Sequence, residues 1–225
     1  MDALNARAWR ALLRGLLAMA ALLFVPAGSW RYWQGWLYLV VCMGASTWIT
    51  VDLMHRDRAL LERRLTAGAS VEKEPTQKLI IRLAAVVFAA LLVVPALERR
   101  LGRAGDRLAV IAIGNVLVLV GFVIVGWVYR ANSFASATVQ VADTQRLVSS
   151  GPYAIVRHPM YLGAACCLAG TPLALGSWWA ALPALALMAL VVWRLVDEER
   201  VLAAQLPGYG EYRQRVRYRL LPGVW

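Results

Sequence analysis

Charge is what this chain has least of. Only 16% of its 225 residues are charged and 60% are hydrophobic, against about 25% and 45–50% in soluble domains. No charged residue occurs between Arg14 and Arg31, Arg31 and Asp52, Arg82 and Glu98, or Arg107 and Arg130. A fifth uncharged stretch runs for 36 residues, His158 to Trp193. A bilayer core of about 30 Å takes roughly 20 apolar residues per helix. The pattern excludes a disordered tail and a doubly wound soluble enzyme. Its even spread also excludes one anchor attached to a large soluble domain. Cysteine is scarce too. Cys42, Cys166 and Cys167 all lie in apolar stretches, their number is odd, and no CxxC spacing occurs. A disulfide scaffold is therefore excluded. Two histidines, His55 and His158, do not supply the usual zinc ligand sets, so no metal is expected.

What is abundant is basic charge, with a net +11. Its placement argues against nucleic acid. The Lys and Arg residues form no stripe but fall in the gaps between apolar segments, as expected beside membrane helices. The expected fold is all-α: a polytopic transmembrane protein of about six spans. The first span covers about Leu12 to Ser29. It is read as retained rather than as a cleaved leader, because an aromatic cluster (Trp30, Tyr32, Trp33, Trp36) follows where a small-residue cleavage site would stand. The second covers about Trp33 to Met54. The polar loop 55–78 opens as an amphipathic helix with Leu60, Leu61 and Leu65 on one face. It closes as a turn around Gly68 and Pro75. The third and fourth spans cover about Leu79 to Leu97 and Leu108 to Tyr129.

The 36-residue stretch is short for two full spans. The turn signal GTPLALGSWW in its middle predicts a tight helical hairpin, with helices at about Pro159 to Leu175 and Ser177 to Val196. Gly163, Ala164, Ala165, Ala169 and Gly170 allow close packing. Lys plus Arg divide 19 against 5 between the two sides of a six-span chain. The positive-inside rule then puts both termini in the cytoplasm of a multi-pass, bacterial inner-membrane protein. The basic ERRLGRAGDR loop is discordant. Two parts are expected: N-terminal membrane helices over 1–129, and a core over 130–225 made of a cytoplasmic loop, the hairpin and a cytoplasmic C-terminal tail.

Polar side chains gather at one level of this arrangement. Asn132 follows the fourth span. Gly151-Pro152-Tyr153 and Arg157-His158-Pro159-Met160-Tyr161-Leu162-Gly163 open the hairpin. Arg194, Asp197, Glu198 and Glu199 close it. A hairpin returns its ends to the same level, so His158 and Glu198 are expected to be neighbours in a pocket open to lipid. Each piece has an ordinary alternative: an interfacial helix start with Pro in its first turn, a snorkelling Arg, or an i,i+4 pair of Arg194 with Glu198. Three acids at a helix C-terminus, however, oppose the helix dipole.

The string GPYAIVRHPMYLG, a short hydrophobic hairpin, RLVDEERVL and GYGEYRQRVRYRLLPG together resemble the C-terminal half of the isoprenylcysteine carboxyl methyltransferase family. That family is related to the membrane phospholipid N-methyltransferases. The resemblance covers roughly residues 130–225; NSFASATV is similar to bacterial members, and 1–129 match only in being membrane helices. It implies an S-adenosylmethionine-dependent methyltransferase acting on a lipophilic or lipidated acceptor, such as an isoprenylcysteine-like carboxylate. By the same resemblance His158, Pro159, Tyr161 and Gly163 match the cofactor motif, with Tyr153 in the preceding GPY. Glu198 and Glu199 match its paired acids, and Tyr209 and Tyr212 the aromatic pair after them. Arg194 is similar in spacing to an acceptor-handling arginine; Arg157 and Asn132 are the further candidates for catalysis and for the acceptor. Membrane lipids are the expected surroundings, and no obligatory protein partner is inferred.

The chemistry suits these residues. Carboxylates accept from ribose hydroxyls or an ammonium. Tyr faces contact adenine or a sulfonium. In-line methyl transfer mainly requires orientation and exclusion of water. A carboxylate acceptor is already ionised at neutral pH, whereas an amine needs a base such as His158 or a Glu. Two other readings compete. Sterol-type membrane reductases resemble the hairpin and tail and use NADPH, but have more spans. A transporter would place charges near mid-span and show paired repeats, and neither is evident.

Overall fold

The computed structural model describes residues 2–66, 75–135 and 147–225. Among these there is no strand. Eight α-helices follow one another: α1 Ala3–Ala27, α2 Trp33–Arg56, α3 Arg58–Thr66, α4 Pro75–Arg100, α5 Leu108–Ala131, α6 Pro159–Ala174, α7 Ala181–Gln205 and α8 Tyr209–Arg215, with a 3-10 turn at Gly151–Ala154. Helices α1, α2, α4 and α5 are long and apolar enough to cross a membrane; α6 is a shorter apolar helix. The chain is thus a multi-span, all-α membrane protein. The alternating helices define two ends. The tail end holds α3, α8, the start of α6 and the end of α7. The hairpin end holds the α6–α7 turn, the α1–α2 turn and the α4–α5 loop.

The local reasons are legible. Asp2 caps α1 by accepting from Leu4 N–H at 3.2 Å, and Gly28 ends it in the left-handed region at φ 62°, where a side chain is disfavoured. Helix α3 is amphipathic in place: Leu60 and Leu61 are buried beside Val128, Tyr129 and Ala135, Arg58 and Glu62 are exposed, and Arg63 and Arg64 are half-buried, Arg64 lying over the Tyr129 ring. Pro75, expected in a turn, instead opens α4; a first-turn proline loses no helical hydrogen bond. Gly68, the other residue of that expected turn, lies outside the described residues.

The hairpin is present, with two corrections. Helix α7 starts at Ala181, not Ser177. The Ser177 hydroxyl accepts from Ala180 N–H at 3.0 Å and donates to Glu98, so Ser177 belongs to the turn. At its other end α7 runs on to Gln205. Asp197, Glu198 and Glu199 therefore sit about two turns inside the helix, beyond the reach of the terminal dipole. Their unfavourable placement at a helix end, expected from the sequence, does not exist.

Close approach of α5 and α6 fixes the hairpin against the bundle. A Cβ on Gly121 would stand 2.5 Å from the Gly163 carbonyl oxygen, and one on Gly170 would stand 2.6 Å from the Gly114 carbonyl oxygen. Small residues allow this contact in lipid, where dispersion between closely packed backbones drives association. Mid-bundle, the Tyr38 and Thr171 hydroxyls pair at 3.0 Å between α2 and α6.

Candidate functional site

The site is built where α6 begins. Pro159 occupies the first helical position and His158 caps the helix. Backbone N–H groups of Arg157 and His158 donate to the carbonyls of Tyr218 and Arg219, each at 2.9 Å. The tail beyond α8 is thereby tied to the start of α6. Helix α7 returns from the hairpin end and brings its acids to this level.

Glu199 is the hub. The residue is 6% exposed. One oxygen accepts from Arg157 Nε at 2.8 Å and faces His158 Nε2 at 3.2 Å; the other accepts from Arg219 Nε at 2.8 Å. Burial alone would push this carboxyl upward. The hydrogen bonds from His158 and Arg219, with the charges of His158 and Arg157, outweigh it and hold the group at about 2. A buried carboxylate with this many charged donors is fully satisfied. Arg157 is equally engaged: its Nη1 donates to the carbonyls of Val216 and Arg217, at 3.1 and 2.9 Å. Its buried guanidinium clamps the tail, a different position from that expected of a cation that aims an acceptor.

Glu198 has another surrounding. It is half-buried and accepts a hydrogen bond from the Tyr161 hydroxyl. Arg194, one turn earlier on α7, acts on the same hydroxyl. Next to it Asp197 accepts from Gln77 Nε2, a fully buried side chain on α4. The His158 and Tyr161 rings lie 5.8 Å apart. The paired acids thus divide: Glu199 holds the tail, and Glu198 keeps acceptor capacity beside an aromatic ring.

Tyr209 and Tyr212 of α8 are both buried, their rings 5.8 Å apart. Tyr212 donates to the Tyr153 carbonyl at 2.8 Å. Among the described residues the buried Tyr209 hydroxyl has no hydrogen-bond partner. Burial, then the nearby Glu199 charge, pushes that phenol up. Asn132 Nδ2 donates to the Tyr153 hydroxyl at 3.1 Å, and Asn132 Oδ1 accepts from Phe134 N–H. Burial raises Tyr153 to about 12. Gly163 stands apart from this group. Its bare face meets α5, where a Cβ would lie 2.8 Å from the Gly121 carbonyl oxygen.

Sequence reasoning missed Arg219 and Gln77. Arg219 is one of several arginines in an arginine-rich tail, with no spacing that marks it as a partner of Glu199. Gln77 sits at the polar start of α4, and nothing local shows that it is fully buried.

Residues 109–207, from α5 to the end of α7, match the family model for phospholipid methyltransferase. That is a family of membrane methyltransferases related to the isoprenylcysteine carboxyl methyltransferases. No curated protein matches the chain. The match supports a methyltransferase of the membrane, and it spans both arms of the hairpin that carries the cluster.

Proposed function

We propose that the chain transfers the methyl group of S-adenosylmethionine to a lipophilic acceptor, a carboxylate of isoprenylcysteine type. One observation carries the reading. The hairpin and tail bring Tyr161, Arg194, Glu198 and Tyr209 to one membrane level, with the Tyr209 hydroxyl buried and unpartnered. The residues fit the cofactor. Glu198 offers acceptor capacity to a ribose hydroxyl or an ammonium, the Tyr209 hydroxyl lacks a partner until a ligand supplies one, and the Tyr161 face suits a cation or an adenine. His158, Pro159, Tyr153 and Tyr212 shape this wall, and Glu199 fixes it through Arg157 and Arg219. When bound, S-adenosylmethionine supplies an electrophilic methyl carbon, to which the acceptor oxygen bonds as the carbon–sulfur electron pair departs with sulfur.

The chain's own residues then have to orient and to exclude water. Arg194 directs the acceptor carboxylate; Arg157 and Asn132, expected to share that work, act instead on the tail and on Tyr153. No base is needed for an ionised carboxylate. That agrees with His158, whose Nε2 is already turned to Glu199. The family match gives a second reading, an amine headgroup as acceptor, with Glu198 receiving its proton.

The test uses purified protein in nanodiscs containing candidate acceptors and methyl-labelled S-adenosylmethionine. The proposal expects label in the organic phase that mild alkali releases as methanol, the mark of an ester. Alkali-stable label points to the amine reading. Absence of transfer to any lipophilic acceptor, with NADPH consumed instead, would overturn both.

A further inference from the structure

We propose that the hairpin end binds the phosphate headgroup of an anionic lipid, between the α1–α2 turn and the α4–α5 loop. The starting observation is a charge imbalance. Arg31, Arg99, Arg100, Arg103 and Arg107 gather here. The acids are two: Glu98, buried and bonded to Ser177, and Asp106. Among the described residues the side chains of Arg31, Arg100, Arg103 and Arg107 make no ion pair or hydrogen bond. Like charges crowded on a short loop repel unless an anion joins them. Beside a bilayer, the anion at hand is a lipid phosphate.

A cavity of about 570 Å³ lies at this spot, lined by Ala27, Gly28, Ser29, Arg99, Arg100 and Gly102. Both turns that frame it are left-handed glycines, Gly28 at φ 62° and Gly102 at φ 67°. The Arg100 side chain reaches across the cavity from α4 to within 3.9 Å of where a Gly28 Cβ would stand. Arg99 is aimed by a supporting chain: fully buried Gln34 donates to Asp106, which accepts from Arg99 Nη1 at 3.4 Å. Trp30 and Trp36, packed on Phe24 with centroids 5.2 and 4.5 Å away, mark this level as the membrane interface. Arginines in the last turn of α4 also complement its dipole. That accounts for Arg99 and Arg100, but not for Arg31, Arg103 and Arg107, nor for the cavity and the buried Gln34 that positions Asp106. Two guanidinium forks across a cavity suit a phosphodiester, which arginine binds through paired hydrogen bonds.

The site is independent of the methyltransferase reading, and its test does not use activity. Wild-type protein, Arg99→Gln/Arg100→Gln and a control with Arg7→Gln/Arg10→Gln at the tail end are delipidated in neutral detergent. Each is titrated with phosphatidylglycerol, phosphatidylcholine and inorganic phosphate, with bound lipid counted by native mass spectrometry and melting followed by Trp fluorescence. The proposal expects phosphatidylglycerol to bind and raise the melting temperature of wild type and control alike. It expects affinity at least about tenfold weaker in Arg99→Gln/Arg100→Gln. Equal binding by that variant, equal stabilisation by phosphatidylcholine, or full stabilisation by inorganic phosphate alone would overturn it.

Discussion

At the scale of single residues, the two neighbouring acids are predicted to behave differently. Glu198 is half-buried and accepts from the Tyr161 hydroxyl, so Glu198→Gln is expected to leave the fold intact and to weaken cofactor binding. A lost charge-assisted hydrogen bond is worth roughly 1.5–3 kcal/mol, which is about tenfold to a hundredfold in affinity. Glu199 is a matter of stability. Its carboxyl, at about 2 in the folded chain against an ordinary 4.5, contributes fully above pH 4.5. The contribution fades as pH falls through 4.5 towards 2, and is on the order of 3 kcal/mol in total. Thermal melts across that range should show the loss in wild type. Glu199→Gln should start lower, because Arg157 and Arg219 lose their counter-charge, and should lack most of the pH slope. A wild-type slope retained in Glu199→Gln would assign the acid sensitivity to another group. Arg194→Ala should spare cofactor affinity and depress turnover, read by equilibrium dialysis beside a methyl-transfer assay.

At the scale of elements, the hairpin was legible and its contacts were not. A 36-residue uncharged run with a turn signal at Pro172 and Gly176 has few foldings in a membrane, and it places His158 opposite the acids. The helix ends escaped because they depend on tertiary partners. Ser177 leaves the helix for Glu98, 79 residues away. The acids lie inside α7 because tail and α8 packing extends the helix past the membrane edge. In the cluster, Tyr161 with Glu198 follows from hairpin geometry, whereas Arg219 on Glu199 requires the tail to fold back over α6, which no local pattern records. The glycines carry a prediction at this scale. Gly121→Leu places side-chain atoms where α6 backbone stands, and overpacking of this kind costs about 1–3 kcal/mol or more. Its melting temperature should fall and the α5–α6 pair should separate, while Gly15→Leu on α1, where a Cβ meets nothing within 4 Å, should be neutral. Equal melting of the two variants would show that the close contact does not hold the hairpin.

At the scale of the whole molecule, the proposed methyl-transfer site and the proposed lipid site lie at opposite ends of the bundle, the first at the tail end and the second at the hairpin end. The division of 19 basic residues against 5 predicts a cytoplasmic tail end. Reporters fused after residue 225 should be active only as cytoplasmic markers; a periplasmic marker active at that position would reverse the orientation. The central claim is that hairpin and tail together form one cofactor site, and S-adenosylhomocysteine affinity tests it most directly. Calorimetry on the wild-type protein, Glu198→Gln, Tyr209→Phe and Arg194→Ala, each shown to be folded by its melt, is predicted to give a measurable wild-type affinity. That affinity should weaken about tenfold or more in Glu198→Gln, weaken less in Tyr209→Phe, and stay unchanged in Arg194→Ala. Wild-type affinity in both Glu198→Gln and Tyr209→Phe, or no binding to the wild-type protein, would contradict the account.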